Sequence, residues 1–92
     1  MSPGWDASPR GADFGAARPN KYPWWPIVTG EHPDRFREAV AGAVAYARGN
    51  PAGEQLVLVS SLNEWSEGHY LEPDTRFGLG WIEAVRDGRS GT

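Results

Sequence analysis

Hydrophobic positions along the chain fall into three patterns. From His32 onward, Phe36, Val40, Ala43, Val44 and Ala47 recur at spacings of four, three, one and three, which lines them up on one stripe of an amphipathic helix. Arg35, Arg37 and Arg48 fall off that stripe. Pro33 suits a first helical position because its missing N–H is not needed there, Asp34 complements the positive end of the helix dipole, and Gly49-Asn50-Pro51 supplies a left-handed residue followed by a proline stop. The pattern predicts a helix over residues 33–48. Gln55 to Ser60 reads Q-L-V-L-V-S, a continuous apolar run of the kind found in strands buried on both faces of a parallel sheet, and the strand is placed at 55–61. Beyond a polar stretch, Phe77, Trp81, Ile82 and Val85 share one helical face up to Asp87-Gly88, predicting a second helix over 77–87 with Trp81 in the core.

Residues 1–30 carry no period of 3.6 or 2. They hold five of the eight prolines and four of the twelve glycines, yet also Trp5, Phe14, Tyr22, Trp24 and Trp25, an aromatic content that disordered tails lack. A long loop that packs through its aromatics fits better, with Trp24 and Trp25 expected to pack rather than to touch ligand. Loop, helix, strand, loop, helix is the order of a βα-repeat protein, whose strands need parallel neighbours that this chain does not supply. With 92 residues and no cysteine, neither a large core nor a disulfide framework is available. Nine basic against twelve acidic residues, with no basic run, exclude the electrostatic footprint of a nucleic-acid binder. No apolar run approaches membrane-spanning length and no signal-peptide layout opens the chain, so no membrane partner and a cytoplasmic location are expected.

The chemistry concentrates in Ser60-Ser61-Leu62-Asn63-Glu64-Trp65-Ser66-Glu67-Gly68-His69-Tyr70-Leu71-Glu72-Pro73-Asp74, directly after the predicted strand. In α/β folds the carboxyl ends of strands hold the active site. If the backbone turns helically, Glu64 and Glu67 lie on one side, and two carboxylates so close divide into a protonated acid and an ionised base, as glycosidases require. Trp65 offers a flat face to a sugar ring, Asn63 a donor to a hydroxyl, and Gly68 a tight turn. On spacing alone the commoner explanation is two ordinary first-turn acids and a core tryptophan.

Asn63-Glu64-Trp65-Ser66-Glu67-Gly68 followed by Tyr70-Leu71-Glu72-Pro73-Asp74, with Pro3-Gly4-Trp5-Asp6 and Pro9-Arg10 upstream, resembles the C-terminal part of the glycoside hydrolase family 99-like and WbsX-like proteins. The resemblance covers most of the chain. It implies an α/β fold, namely the last two βα units of a (β/α)8 TIM barrel, with residues 62–76 as the catalytic loop. It further implies Glu67 as general acid/base and Glu64 as the base that helps the substrate 2-hydroxyl attack its own anomeric carbon, giving a 1,2-anhydro sugar. The substrate would be a mannose-type glycan or polysaccharide, with no metal or organic cofactor. Two alternatives stand beside hydrolysis: a polysaccharide-biosynthesis glycosyltransferase on the same barrel, and an inactive remnant or a fragment that completes another chain's barrel. The 92 residues alone are expected to be inactive.

Secondary candidates surround this loop. Trp5 is a stacking platform for a sugar, while Asp6 and Arg10 pair with each other or contact sugar hydroxyls. His69 could donate to a hydroxyl, although a polar loop histidine is more often solvated. Tyr70 belongs to the same sugar-contacting set, and Glu72, held extended by Pro73, either contacts substrate or fixes the loop by accepting hydrogen bonds.

Overall fold

The structure is a computed structural model and describes residues 1–11, 22–23 and 27–90. Phe14, Trp24 and Trp25 lie outside the described residues. Helix α1 spans Pro33–Arg48, as the pattern predicts. Its first turn is closed by His32, whose Nδ1 accepts the Asp34 backbone N–H at 3.1 Å, with Pro33 at the start and Asp34 in the first turn. The far end differs from expectation. Gly49 is right-handed (φ −79°), and the helix tightens instead, with the Gly49 and Asn50 N–H groups donating to the Tyr46 and Ala47 carbonyls. Gln55 Nε2 adds donors to the Arg48 and Asn50 carbonyls, so the exposed carbonyl end is satisfied without a left-handed cap.

Helix α2 spans Gly80–Arg89, three residues later at its start than the apolar pattern suggests. The delay has a cause in Asp74, whose Oδ1 accepts the Phe77 backbone N–H at 2.6 Å and whose backbone pairs with Gly78, turning the chain before the helix begins. Its buried positions are Trp81, Ala84 and Gly88, with Val85 half-buried, a stripe at spacings of three, one and three. Ile82, expected on this face, is exposed. Gly88 does not end the helix. A Cβ there would lie 2.7 Å from both the Arg37 carbonyl oxygen and the Val40 Cβ, so the missing side chain is what lets α2 approach α1. At the other end, Gly80 sits against Pro33. Contacts between the two starts and then between Gly88 and Val40 mean that the helices run in the same direction. Between them Phe36, Val40, Leu71, Trp81 and Ala84 form the core, with Met1, Val44, Val59, Tyr70, Phe77 and Val85 at its margin. Trp81 is therefore a core residue, meeting Phe36 and Phe77 edge-on.

Residues 55–61 do not form a strand of a sheet in this chain, a correction to the expectation of a strand buried on both faces. Leu56 and Leu58 are 74% and 77% exposed. A parallel strand is stabilised by neighbours on both edges, and among the described residues one short contact of that kind is present: the Met1 amino group donates to Leu58 O at 3.0 Å and Ser60 N donates to Met1 O at 2.8 Å. That pair of bonds is the repeat unit of a parallel ladder, formed once. The sheet that does form is an antiparallel hairpin, β1 (Asn63–Glu64) against β2 (His69–Tyr70), with Asn63 opposite Tyr70 and Glu64 opposite His69. The described residues thus make a small mixed α/β unit of two helices and a two-stranded hairpin. Among them no helix is long and apolar enough to cross a membrane.

Candidate functional site

The two glutamates are brought together by the hairpin connection. Trp65–Glu67 form one turn of 3-10 helix entered from Glu64, a geometry in which residues three apart lie in line. Gly68 then reverses the chain in the left-handed region at φ 70°. Glycine is required twice over, since a Cβ would stand 2.7 Å from the Asp6 backbone nitrogen. That close approach allows the Asp6 N–H to donate to the Glu67 carbonyl at 2.8 Å, which clamps the N-terminal segment onto the carboxylate turn.

Arg10 bridges both acids. Its Nη2 lies 3.1 Å from Glu64 Oε1 and its Nε 3.8 Å from Glu67 Oε2, while Nε donates to Ser66 Oγ at 3.0 Å. Ser66 in turn donates to Glu64 Oε1 at 2.7 Å. The Ser66 hydroxyl first, and the Arg10 guanidinium after it, hold the Glu64 carboxyl below its usual range. Bonding to Glu64 likewise raises Arg10. Glu64 is therefore the acid whose ionised form is held by a cation and a hydroxyl donor. Glu67 has different partners: Tyr22 OH donates to Oε2 at 3.0 Å and His69 Nε2 lies 3.4 Å from Oε1. Partial removal from water, together with the bond to Glu67, holds the Tyr22 hydroxyl above its usual range.

The secondary candidates divide. Asp6 and Arg10 do not pair with each other: Asp6 Oδ1 accepts the Ser8 N–H at 3.0 Å and so starts the 3-10 turn Ser8–Gly11 that presents Arg10 to the glutamates. His69 is not the solvated loop residue that its sequence context suggests. It is 7% exposed and stacked on Trp5, with centroids 5.4 Å apart and planes 11° apart. One face of Trp5 is thus given to His69 rather than left for a ligand. Trp65 is 44% exposed and stacks on Tyr70 at 3.7 Å, its indole N–H donating to Glu72 Oε1 at 2.7 Å. Glu72 therefore fixes the loop by accepting a hydrogen bond. Asn63 is exposed in β1.

Asp74, Tyr22, Ser61 and Ser66 are site residues that the sequence alone does not single out. Asp74 Oδ2 accepts from Tyr70 OH at 2.7 Å and from Trp81 Nε1 at 3.0 Å, tying the stacked Trp65–Tyr70 pair to α2. Burial alone pushes the Asp74 carboxyl up, but bonds from the Phe77 backbone, Tyr70 and Trp81 outweigh it and the net value is lowered. Burial first, then the bond to Asp74, pushes the Tyr70 hydroxyl up to about 12. An aspartate just before a turn and a helix is a capping signal that the sequence does offer. Tyr22 carries none, because nothing in an aperiodic loop says which side chain reaches back to residue 67.

A cleft of about 450 Å³ lined by Trp5, Asp6, Gly68, Tyr70 and Phe77, with the Glu31–Arg76 ion pair at its rim, lies beside the carboxylate turn. Glu64 and Glu67 themselves do not line it, and the pair sits on an open face. Among the described residues no group of three or more His, Asp or Glu side chains is arranged to hold a metal ion. What the arrangement can do is present two carboxyl groups with different partners to one ligand, Glu64 held by Ser66 and Arg10 and Glu67 bonded by Tyr22.

Comparison with known proteins bears on which ligand. The model of the family described as Glycosyltransferase WbsX matches residues 1–85. The chain is also similar to the uncharacterized protein WxcX of Xanthomonas campestris pv. campestris, in strain B100 and in strain ATCC 33913, at 34% identity over 87 residues in each case. The match covers 94% of this chain and 11% of the length of each relative. No solved structure matches it.

Proposed function

Since the chain belongs to the glycosyltransferase WbsX family, a family of carbohydrate-active proteins, we propose that it carries the catalytic loop of a (β/α)8-barrel domain that hydrolyses a mannose-type glycan or polysaccharide. The observation that supports this best is the division of the glutamate pair. Glu64 is held ionised by Ser66 and Arg10, whereas Glu67 faces His69 and the Tyr22 hydroxyl. In the proposed reaction Glu67 gives a proton to the glycosidic oxygen as the anomeric C–O bond breaks. Glu64 takes the 2-hydroxyl proton as that oxygen bonds to the anomeric carbon, forming a 1,2-anhydro sugar. Water then opens the ring, its proton passing to Glu67 while Glu64 returns its own to the 2-oxygen. Two acids on one turn, rather than facing each other across a sugar ring, suit this sequence better than direct carboxylate attack.

The barrel reading draws support from three features: two helices running in the same direction, the parallel pairing of Met1 with Leu58 and Ser60, and the apolar run at residues 56–59 placed immediately before the carboxylate loop. Further βα units would then cover Leu56 and Leu58 and close a pocket over the open face.

The family description favours a second reading, transfer of a sugar to a growing polysaccharide. The two are separated by incubating a barrel-complete family protein containing this segment with mannose-containing polysaccharide, with and without activated sugar donors. Release of reducing ends without a donor is expected. Donor-dependent transfer with no hydrolysis would overturn the hydrolase assignment.

A further inference from the structure

Resting on the acid role proposed for Glu67, we infer that His69 is the positioning residue of that acid: Ser61 fixes the ring with its hydrogen on Nδ1, so that Nε2 meets the Glu67 carboxyl and the two groups share one proton. The assignment follows from counting hydrogens. Ser61 Oγ lies 2.7 Å from the His69 carbonyl oxygen, which can only accept, so the single hydroxyl hydrogen is committed there. The same Oγ is 2.6 Å from His69 Nδ1 and must act as acceptor in that contact, leaving Nδ1 as the donor. Ser60 Oγ, at 3.2 Å, is a second oxygen at the same nitrogen.

A neutral imidazole with its hydrogen on Nδ1 presents a lone pair at Nε2. That nitrogen faces Glu67 Oε1 at 3.4 Å, which accepts when ionised. Two facing acceptors define a place for one proton, carried either as carboxyl O–H donating to Nε2 or as imidazolium Nε2–H donating to the carboxylate. The ring is held in this orientation by burial and by stacking on Trp5. The other oxygen, Oε2, is occupied by the Tyr22 hydroxyl at 3.0 Å and approached by Arg10 at 3.8 Å, while Glu64 stands opposite His69 across the hairpin. The two Glu67 oxygens therefore differ in role, with Oε2 anchored and Oε1 carrying the exchangeable proton. The proton delivered to the leaving group comes from this shared position and is restored from the attacking water, with no bond from His69 to the sugar made or broken.

The test is long-range proton–nitrogen NMR of the 92-residue chain with nitrogen-labelled histidine, between about pH 4 and 9. The chain has two histidines, and His32, which caps α1 away from this site, serves as the internal control. Neutral His69 is expected as the Nδ1–H tautomer. Glu67→Gln is expected to shift the His69 Nε2 resonance, because the carboxyl that shares its proton is gone, while the His32 resonances stay in place. Ser61→Ala, which leaves Glu67 in place, is expected to release a mixture of tautomers. An Nε2–H tautomer in the wild type, or a His69 Nε2 resonance unmoved by Glu67→Gln, would overturn the proposal. Absence of glycan hydrolysis by a barrel-complete family protein, with these spectra intact, would instead discard the acid role and leave the pairing standing.

Discussion

The carboxylate turn and the apolar run just before it stand in contrast. Residues 63–74 are polar, yet the side chains that matter there are tied to partners inside the chain: Glu64 to Ser66 and Arg10, Glu67 to Tyr22, Trp65 to Glu72, and Tyr70 to Asp74. Leu56, Val57 and Leu58 are the most strongly apolar stretch of the sequence and are exposed. Hydrogen-bonded networks of this kind can be completed locally, because each bond needs only one correctly placed partner. Burial of a strand needs whole neighbouring elements. The described residues therefore hold the geometry of a carboxylate pair by local bonds and leave the apolar run beside it uncovered.

The largest effect should come from cutting the link between the site and its foundation. Trp81→Ala removes the central core side chain and also a donor to Asp74, and is expected to cost about 3 to 5 kcal/mol in denaturant-induced unfolding. Were the loss below about 1 kcal/mol, the helix pair would not be what supports the turn. Gly68→Ala comes next. Strain at φ 70° and the contact with the Asp6 backbone should together cost about 1 to 3 kcal/mol, with loss of the Asp6–Glu67 bond visible as faster amide exchange at Asp6. Unchanged exchange would show that the N-terminal segment is held independently of the turn.

Acid pH should sharpen the contrast more gently. Asp74 and Glu64 both have folded values below their ordinary ones, so their contribution is present above about pH 4 and is lost as pH falls through the lowered values. Thermal midpoints should therefore drop below about pH 4, and Asp74→Asn should flatten that drop. An identical acid profile in the variant would remove Asp74 from the account. The smallest change is expected at the exposed run. Leu58→Lys should alter the stability of the 92-residue chain by no more than about 0.5 kcal/mol while reducing self-association in sedimentation. A large destabilisation would mean that Leu58 is already packed.

Legibility in the sequence follows the same division. Helix α1 can be read to the residue because its signals are local: a proline at the first position, an acidic first turn and a stripe at helical spacing. Helix α2 is displaced by three residues at its start because Asp74 and Gly78 form a turn that a periodicity count cannot see, and it runs through Gly88 because that glycine serves a helix contact rather than an end. The strand at 55–61 is readable as an apolar run but not as an element, since ladder formation depends on partners elsewhere. Glu64 and Glu67 are legible from spacing. Their different partners are not, because these are Arg10 and Tyr22, 54 and 45 residues away. The burial of His69 is hidden for a related reason: nothing adjacent in sequence shows that Trp5 stacks over it.

In the proposed reaction Glu67 delivers a proton from this turn. This step is tested most directly by the turnover of a glycan with a poor leaving group by a barrel-complete family protein, compared with its Glu67→Gln form. A loss of at least about 10²-fold in kcat with glycan binding retained is expected, because the amide keeps the shape of the side chain but has no acidic proton to give. Turnover like that of the wild type would contradict it.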